Sequence, residues 1–249
     1  MIADCDGVFQ VDVKRLDAIN EIDEIMIATR HTNFPVKKGD RLLGTRVIPL
    51  VIAKEKMEQV KKTAGETPLV SLTPYKKKTV GIVTTGNEVY YGRIKDTFTP
   101  VIIEKMKEYK IEVCGHIVCN DDMEKITKAI LELKEKGAEM IVCTGGMSVD
   151  PDDKTPGAIK ATGARIVSYG APVLPGAMFL LSYLEDGTPV MGLPGCVMYA
   201  KATVFDLVLP RIAAGIEVTK KDLAHMGNGG FCLGCKECHY PNCSFGKGV

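Results

Sequence analysis

From residue 79 onward the chain repeats one pattern: a short β-rich apolar run, a Gly-containing turn, then apolar residues at helical spacing. Residues 79–83 run into Thr84-Thr85-Gly86-Asn87-Glu88. Thr99 can cap a helix with Pro100 at its first position, and Ile102, Met106 and Tyr109 give that helix an apolar face. Residues 111–119 read as the next strand. Asp121 or Asp122 can cap a second helix, whose Met123, Ile126, Ile130 and Leu133 recur on one side and whose stop is Gly137. A third strand, 139–143, leads into Thr144-Gly145-Gly146, and Thr155-Pro156 opens another helix. Strand-like pieces follow at 164–168 and 189–191, and 196–214 reads as a last long helix that Pro210 can break. Strands alternating with helices predict an α/β fold, a three-layer, doubly wound, mostly parallel sheet. Ligands of such sheets bind at the carboxyl ends of the strands.

The first 75 residues lack this rhythm. Residues 22–28 and 47–53 look like strands or short buried segments, 34–40 like a strand and turn, and 55–62 like a helix ending near Gly65. Thr73-Pro74-Tyr75-Lys76-Lys77-Lys78 is the linker candidate. The expected organisation is a small β-rich accessory region (1–75), an α/β domain (76–215) and a polar, Gly-rich tail (216–249).

Composition excludes some functions. With 45% apolar and 25% charged residues the chain can build a core. Lys plus Arg is 32 against 31 Asp plus Glu, so no global field favours nucleic acid or a membrane surface. Trp is absent and aromatic residues are 6%, which disfavours a base-stacking platform. The longest uncharged run, 166–184, is interrupted by Gly170, Pro172, Pro175 and Gly176, so no membrane span is expected. The chain opens Met1-Ile2-Ala3-Asp4-Cys5-Asp6, acidic where a secretory leader is basic, so a reducing cytoplasm is expected.

Two turns can carry chemistry. Thr84-Thr85-Gly86-Asn87-Glu88 and Thr144-Gly145-Gly146-Met147-Ser148 each follow a strand. Glycine lets main-chain N–H groups converge on an anion, and the hydroxyls add donors, so phosphate is the expected guest. Asp96, Asp121, Asp122, Asp150, Asp152 and Asp153 surround them. Acids beside a phosphate suit a bridging Mg²⁺, although Asp122 serves equally as a helix cap and Asp150 and Asp152 as turn acids. Cys196, in Leu193-Pro194-Gly195-Cys196, is either a thiol activated by a helix N-terminus or an inert buried one. His31 and His116 are isolated in sequence and read as structural or surface residues.

The tail holds Cys232, Cys235, Cys238 and Cys243, spaced x2, x2, x4. Four thiols within twelve residues suit Zn²⁺ or an iron–sulfur cluster, with His239 as an alternative ligand.

Taken together, Thr85-Gly86-Asn87-Glu88, Gly92-x-Ile94-x-Asp96, Asp121-Asp122, Thr144-Gly145-Gly146-x-Ser148 with Asp153, and Gly192-Leu193-Pro194-Gly195 resemble the molybdopterin-binding domain of molybdenum cofactor biosynthesis proteins (the MoaB/Mog fold). They are most similar to the molybdopterin molybdotransferase (MoeA) type. The segment 34–52 also looks like the stretch preceding that domain in those enzymes. The resemblance implies binding of molybdopterin or its adenylated form, and Mg²⁺-dependent insertion of molybdate with release of AMP. It implies that Thr85, Gly86, Asn87, Glu88, Thr144, Gly145, Gly146, Ser148, Pro194 and Gly195 hold the ligand, and that Asp96, Asp121 and Asp153 position Mg²⁺ or the phosphoanhydride. It further implies a homo-oligomer that works with a molybdoenzyme or a molybdopterin adenylyltransferase.

The sequence departs from that pattern in places. The family's Ser-Ala-Met-Asp-Gly segment is not found, and a Cys-rich tail stands where a β domain is usual. Asp150 replaces a Gly, Cys196 an Asn and Phe98 an Asn; an added acid such as Asp150 repels an anion that carries no metal. Two alternatives stay open. One is a non-catalytic molybdopterin carrier or sensor. The other is a CinA-type pyrophosphatase acting on ADP-ribose, which Gly145-Gly146 followed by Pro151-Asp152-Asp153-x-Thr155 also resembles.

Overall fold

A computed structural model describes residues 1–148, 150 and 152–248. The chain divides into two units, Met1–Tyr75 and Lys76–Val249.

In the first unit, β1 (Gly7–Val11) pairs antiparallel with β3 (Phe34–Val36) and β5 (Val70–Pro74). Phe9, Phe34, Val36, Leu42 and Ala3 form its core. A separate ribbon joins β2 (Ile25–Thr29) to β4 (Leu43–Val47). Helix α1 (Val13–Asn20) is capped by Asp12, and α2 (Lys54–Ala64) stops at Gly65, whose φ of 67° suits glycine. The expected strand at 47–53 is absent beyond Val47. Residues 48–53 form exposed irregular chain around Pro49, with Leu50 fully exposed. Proline removes a ladder donor there, and among the described residues the segment has no partner strand.

The second unit is built on six strands in the order β7 (Glu112–Cys119), β6 (Thr79–Thr85), β8 (Ile141–Thr144), β11 (Pro189–Leu193), β10 (Leu180–Tyr183), β9 (Arg165–Tyr169). The first four are parallel, and β10 is antiparallel to both its neighbours. Val83, Ile141 and Cys143 face α5 (Met123–Glu135) and α6 (Thr155–Ala161), whose Ile126, Ile130, Leu133, Ala158 and Ile159 share their cluster. Gly81 and Gly115 lie under Leu133; a β-carbon on either would sit 2.9 and 2.6 Å from its side chain. Helix α4 (Phe98–Lys107) reaches the other face through Thr99, which meets Thr84, and α7 (Val204–Ala213) joins it through a Lys105–Asp206 ion pair. Helices on both faces of a mostly parallel sheet make the expected three layers. Two short helices, α3 (Asn87–Tyr90) and α8 (Lys220–His225), complete the unit. Among the described residues no helix is long and apolar enough to cross a membrane.

Three local expectations change. The helix predicted for 196–214 is a 3-10 turn at Gly195–Met198 followed by α7, and Pro210 lies inside α7 without ending it. Pro210 has no N–H for the carbonyl of Asp206 four residues back; the Tyr240 hydroxyl donates to that carbonyl instead, at 2.7 Å. Thr99 does not cap α4: Asp96 does, accepting from the N–H groups of Phe98 and Thr99 at 2.8 and 3.0 Å. Finally, β10 lies near the end of the 166–184 run, at residues where no strand was expected.

Candidate functional site

The order of the strands creates the site. From β6 the chain crosses to β7 on one side, then to β8 on the other. The crevice between the carboxyl ends of β6 and β8 is therefore a topological switch point, where α/β sheets bind ligands. Both Gly-containing turns open there.

The two turns touch. Gly145 and Gly146 have φ of 84° and 53°. A β-carbon on Gly145 would lie 2.1 Å from the carbonyl oxygen of Thr85, and one on Gly146 would lie 2.9 Å from Oγ1 of Thr155. Only glycine meets both the conformation and the close approach. Thr155 Oγ1 donates to the Gly145 carbonyl at 2.9 Å and lies 3.1 Å from Thr85 Oγ1. The main-chain N–H groups of Gly146 and Met147 have no hydrogen-bond partner among the described residues. Unpaired donors in a tight turn at a switch point are suited to an anion.

Ser148 is held from below the turn. Its N–H and Oγ both donate to Oδ2 of Asp153, at 2.5 and 2.9 Å, and its carbonyl accepts from Tyr169 Oη at 3.0 Å. Its Oγ accepts from the Asp150 N–H at 3.2 Å, and Asp150 Oδ1 accepts from the Asp152 N–H at 2.9 Å. Pro151 lies outside the described residues. On the β7 side, Asp121 Oδ2 accepts from the Asn87 N–H at 3.0 Å and so ties the β6 turn to the β7 turn. Asp122 caps α5, accepting from Glu124 and Lys125. Glu88 is exposed, and its carbonyl accepts from Arg93 and Ile94. Pro194 and Gly195 follow β11 on the same edge of the sheet.

Beneath the turns lies a cluster that sequence alone did not reveal. Thr84 Oγ1 is 2.9 Å from His116 Nε2, 3.1 Å from Thr99 Oγ1 and 3.3 Å from Asp96 Oδ2, and Thr144 donates to it at 3.4 Å. Thr99 Oγ1 donates to Asp96 Oδ2 at 2.6 Å. His116 is thus no isolated histidine, and its ring stands 3.6 Å from the Asp96 carboxylate. Burial works to raise the Asp96 pKa, but the hydroxyl and N–H of Thr99, the N–H of Phe98 and nearby His116 outweigh it and hold the carboxyl below its ordinary value.

These contacts bear on metal binding. Oδ1 of Asp96 accepts two N–H groups and Oδ2 accepts two hydroxyls, which uses the four lone-pair sites of a carboxylate. In this arrangement Asp96 caps α4 and orders the threonines. Among the described residues no three His, Cys, Asp or Glu side chains converge on a metal position, either here or in the tail. Cys232, Cys235, Cys238 and Cys243 are all free thiols, half-buried or exposed. Cys196 is half-buried, and burial pushes its thiol pKa up, the direction expected of an inert thiol.

Residues 81–214 match the family described as "Probable molybdopterin binding domain". The chain belongs to this molybdopterin-binding family. It is similar to the molybdopterin molybdenumtransferase of Synechococcus elongatus, with 24% identity over 225 residues, 83% of this chain and 54% of that protein. It is also similar to a CinA-like protein of Mycobacterium avium, with 35% identity over 75 residues, 30% of this chain and 17% of the other. The chain thus spans about half the length of the transferase and less of the CinA-like protein. Among solved structures, the tungsten cofactor synthesizing protein MoaB of Pyrococcus furiosus aligns with 55% of this chain and 93% of its own, at 21% identity and a TM-score of 0.45. The switch-point turns, the Asp96 cluster and the Ser148–Asp153 loop all fall inside the stretch that defines the family.

Proposed function

We propose that the chain binds molybdopterin, or its adenylated form, with the phosphate seated between the β6 and β8 turns. The observation that carries this reading is the contact of Gly145 with the Thr85 carbonyl, which sets two Gly turns side by side at the switch point. The donors are the N–H groups of Gly146 and Met147. Asp153 positions Ser148, Asp121 positions Asn87, and the Thr84–Asp96–His116 cluster stiffens the floor. Pro194 and Gly195 border the same edge and would flank the rest of the ligand.

The likeness to the molybdenumtransferase covers 83% of this chain, more than the second unit alone can supply. It supports a second step to the proposal: adenylated molybdopterin bound here reacts with molybdate and AMP leaves. The residues on this chain contribute binding, orientation and hydrogen bonds to the phosphate oxygens, which stabilise charge as the bond to AMP breaks. No step is routed through magnesium.

The test is AMP release from adenylated molybdopterin with and without molybdate. Molybdate-dependent release supports the transferase step. Binding without release would leave the carrier reading, and cleavage of ADP-ribose instead would favour the pyrophosphatase.

A further inference from the structure

The tail is a closed loop fastened at both ends. On its way in, Leu174 donates to the Gly230 carbonyl and Cys232 donates to the Leu174 carbonyl, both at 2.8 Å. On its way out, Gly246 donates to the Gly229 carbonyl at 2.9 Å, so the two ends of the loop are joined directly. Phe245 is buried beside them, and Gly246 lies against Leu207 so closely that a β-carbon would sit 2.4 Å from it. Midway, Tyr240 fills the carbonyl of Asp206 that Pro210 leaves vacant in α7. All four tail cysteines lie inside this closure.

What the loop lacks is an interior. Residues 232–244 contain no helix or strand and no fully buried residue. Phe231 and Leu233, its large apolar side chains, are 68% and 75% exposed. The four thiols make no disulfide. A closed loop of this length with pinned ends is ordinarily held by its own side chains; here four of the thirteen residues from 232 to 244 are cysteines, spaced x2, x2 and x4.

We propose that Cys232, Cys235, Cys238 and Cys243 form a tetrathiolate centre that gives this loop its missing interior. The guest is a soft, tetrahedrally bound metal, either Zn²⁺ or the irons of an iron–sulfur cluster. The thiols do not converge beforehand; the loop closes on the metal, and site formation is coupled to loop order, as in small metal-dependent folds. For Zn²⁺ the four thiols lose four protons as four Zn–S bonds form, with no change of oxidation state. The product carries two negative charges. Lys236, within the loop, and Lys247, whose ammonium donates to the Pro241 carbonyl, supply positive charge on this segment. His239 is not a ligand: Cys243 completes the set. The loop docks on the first turn of α7 through Tyr240.

The test uses the full chain, prepared without oxygen, with zinc, iron and acid-labile sulfide measured per chain. About one centre per chain is expected. Zinc alone identifies a zinc site, and iron with sulfide and a visible absorbance band identifies a cluster. Cys235→Ser and Cys238→Ser should lose the metal at least tenfold, while His239→Ala and Cys5→Ser keep it. A far-UV spectrum checks that each variant is folded. A second readout does not need the variants: limited proteolysis of the wild type should cut within 232–243 only after chelation. The proposal is overturned if the wild type neither retains nor takes up zinc or iron with sulfide, if the Cys→Ser variants keep the full metal content, or if chelation leaves the cleavage pattern unchanged.

Discussion

The β-carbon that Gly145 lacks would stand 2.1 Å from the carbonyl oxygen of Thr85. This single approach locks the end of β8 to the end of β6, and every proposed donor to the ligand depends on it.

Gly145→Ala should therefore lose both stability and ligand binding. A non-glycine residue at φ of 84° costs about 1–3 kcal/mol before the clash with Thr85 is counted. Urea unfolding should show a loss of at least that size. The same substitution at Gly187, also at positive φ but with open space around it, should cost only the conformational part.

Asp96→Ala should destabilise the α/β unit by about 0.5–2 kcal/mol, the usual value of an N-cap. The Asp96 pKa is lowered from the ordinary 3.8. Its contribution is therefore complete above 3.8 and is lost as pH falls through the lower folded value. Unfolding midpoints followed into acid should fall less steeply in Asp96→Asn than in the wild type. Parallel curves would show that Asp96 does not carry this dependence.

Much of the fold is legible in the sequence because its signals are local. The periodicity of Ile126, Ile130 and Leu133, the Asp122 cap and the Thr-Gly turns each announce themselves within a few residues. Other features depend on pairing between distant strands. His116 reaches Thr84 only because β7 lies beside β6 with Ile82 opposite His116. Strand β10 is short, and an uncharged run broken by Gly and Pro hides it. Residues 196–214 are mostly apolar, so composition does not separate the 3-10 turn from α7. The contact between Tyr240 and the Asp206 carbonyl joins elements that no local pattern connects.

Tyr240→Phe should leave the Asp206 carbonyl without its donor and cost about 1–3 kcal/mol. In a Pro210→Ala background the helix can supply its own N–H to that carbonyl, so the same substitution should cost less. A double-mutant cycle measured by urea unfolding checks this; equal costs in the two backgrounds would separate Tyr240 from the role assigned to it.

Asp153→Ala should free the Ser148 turn and weaken molybdopterin binding about tenfold, or about 1.4 kcal/mol. Asp153→Asn retains an oxygen that can accept from Ser148, so it should fall between Ala and the wild type. Equilibrium binding of the three proteins orders them.

The most direct test of the account is equilibrium binding of molybdopterin to the wild type and to Gly146→Ala, with Cys235→Ser as the control. The β-carbon in Gly146→Ala stands 2.9 Å from Thr155 Oγ1, in the turn that presents the donors. The account predicts that the wild type and Cys235→Ser bind alike and that Gly146→Ala binds more than about tenfold more weakly. A wild type that does not bind, or a Gly146→Ala protein that binds as well as the wild type, would contradict it.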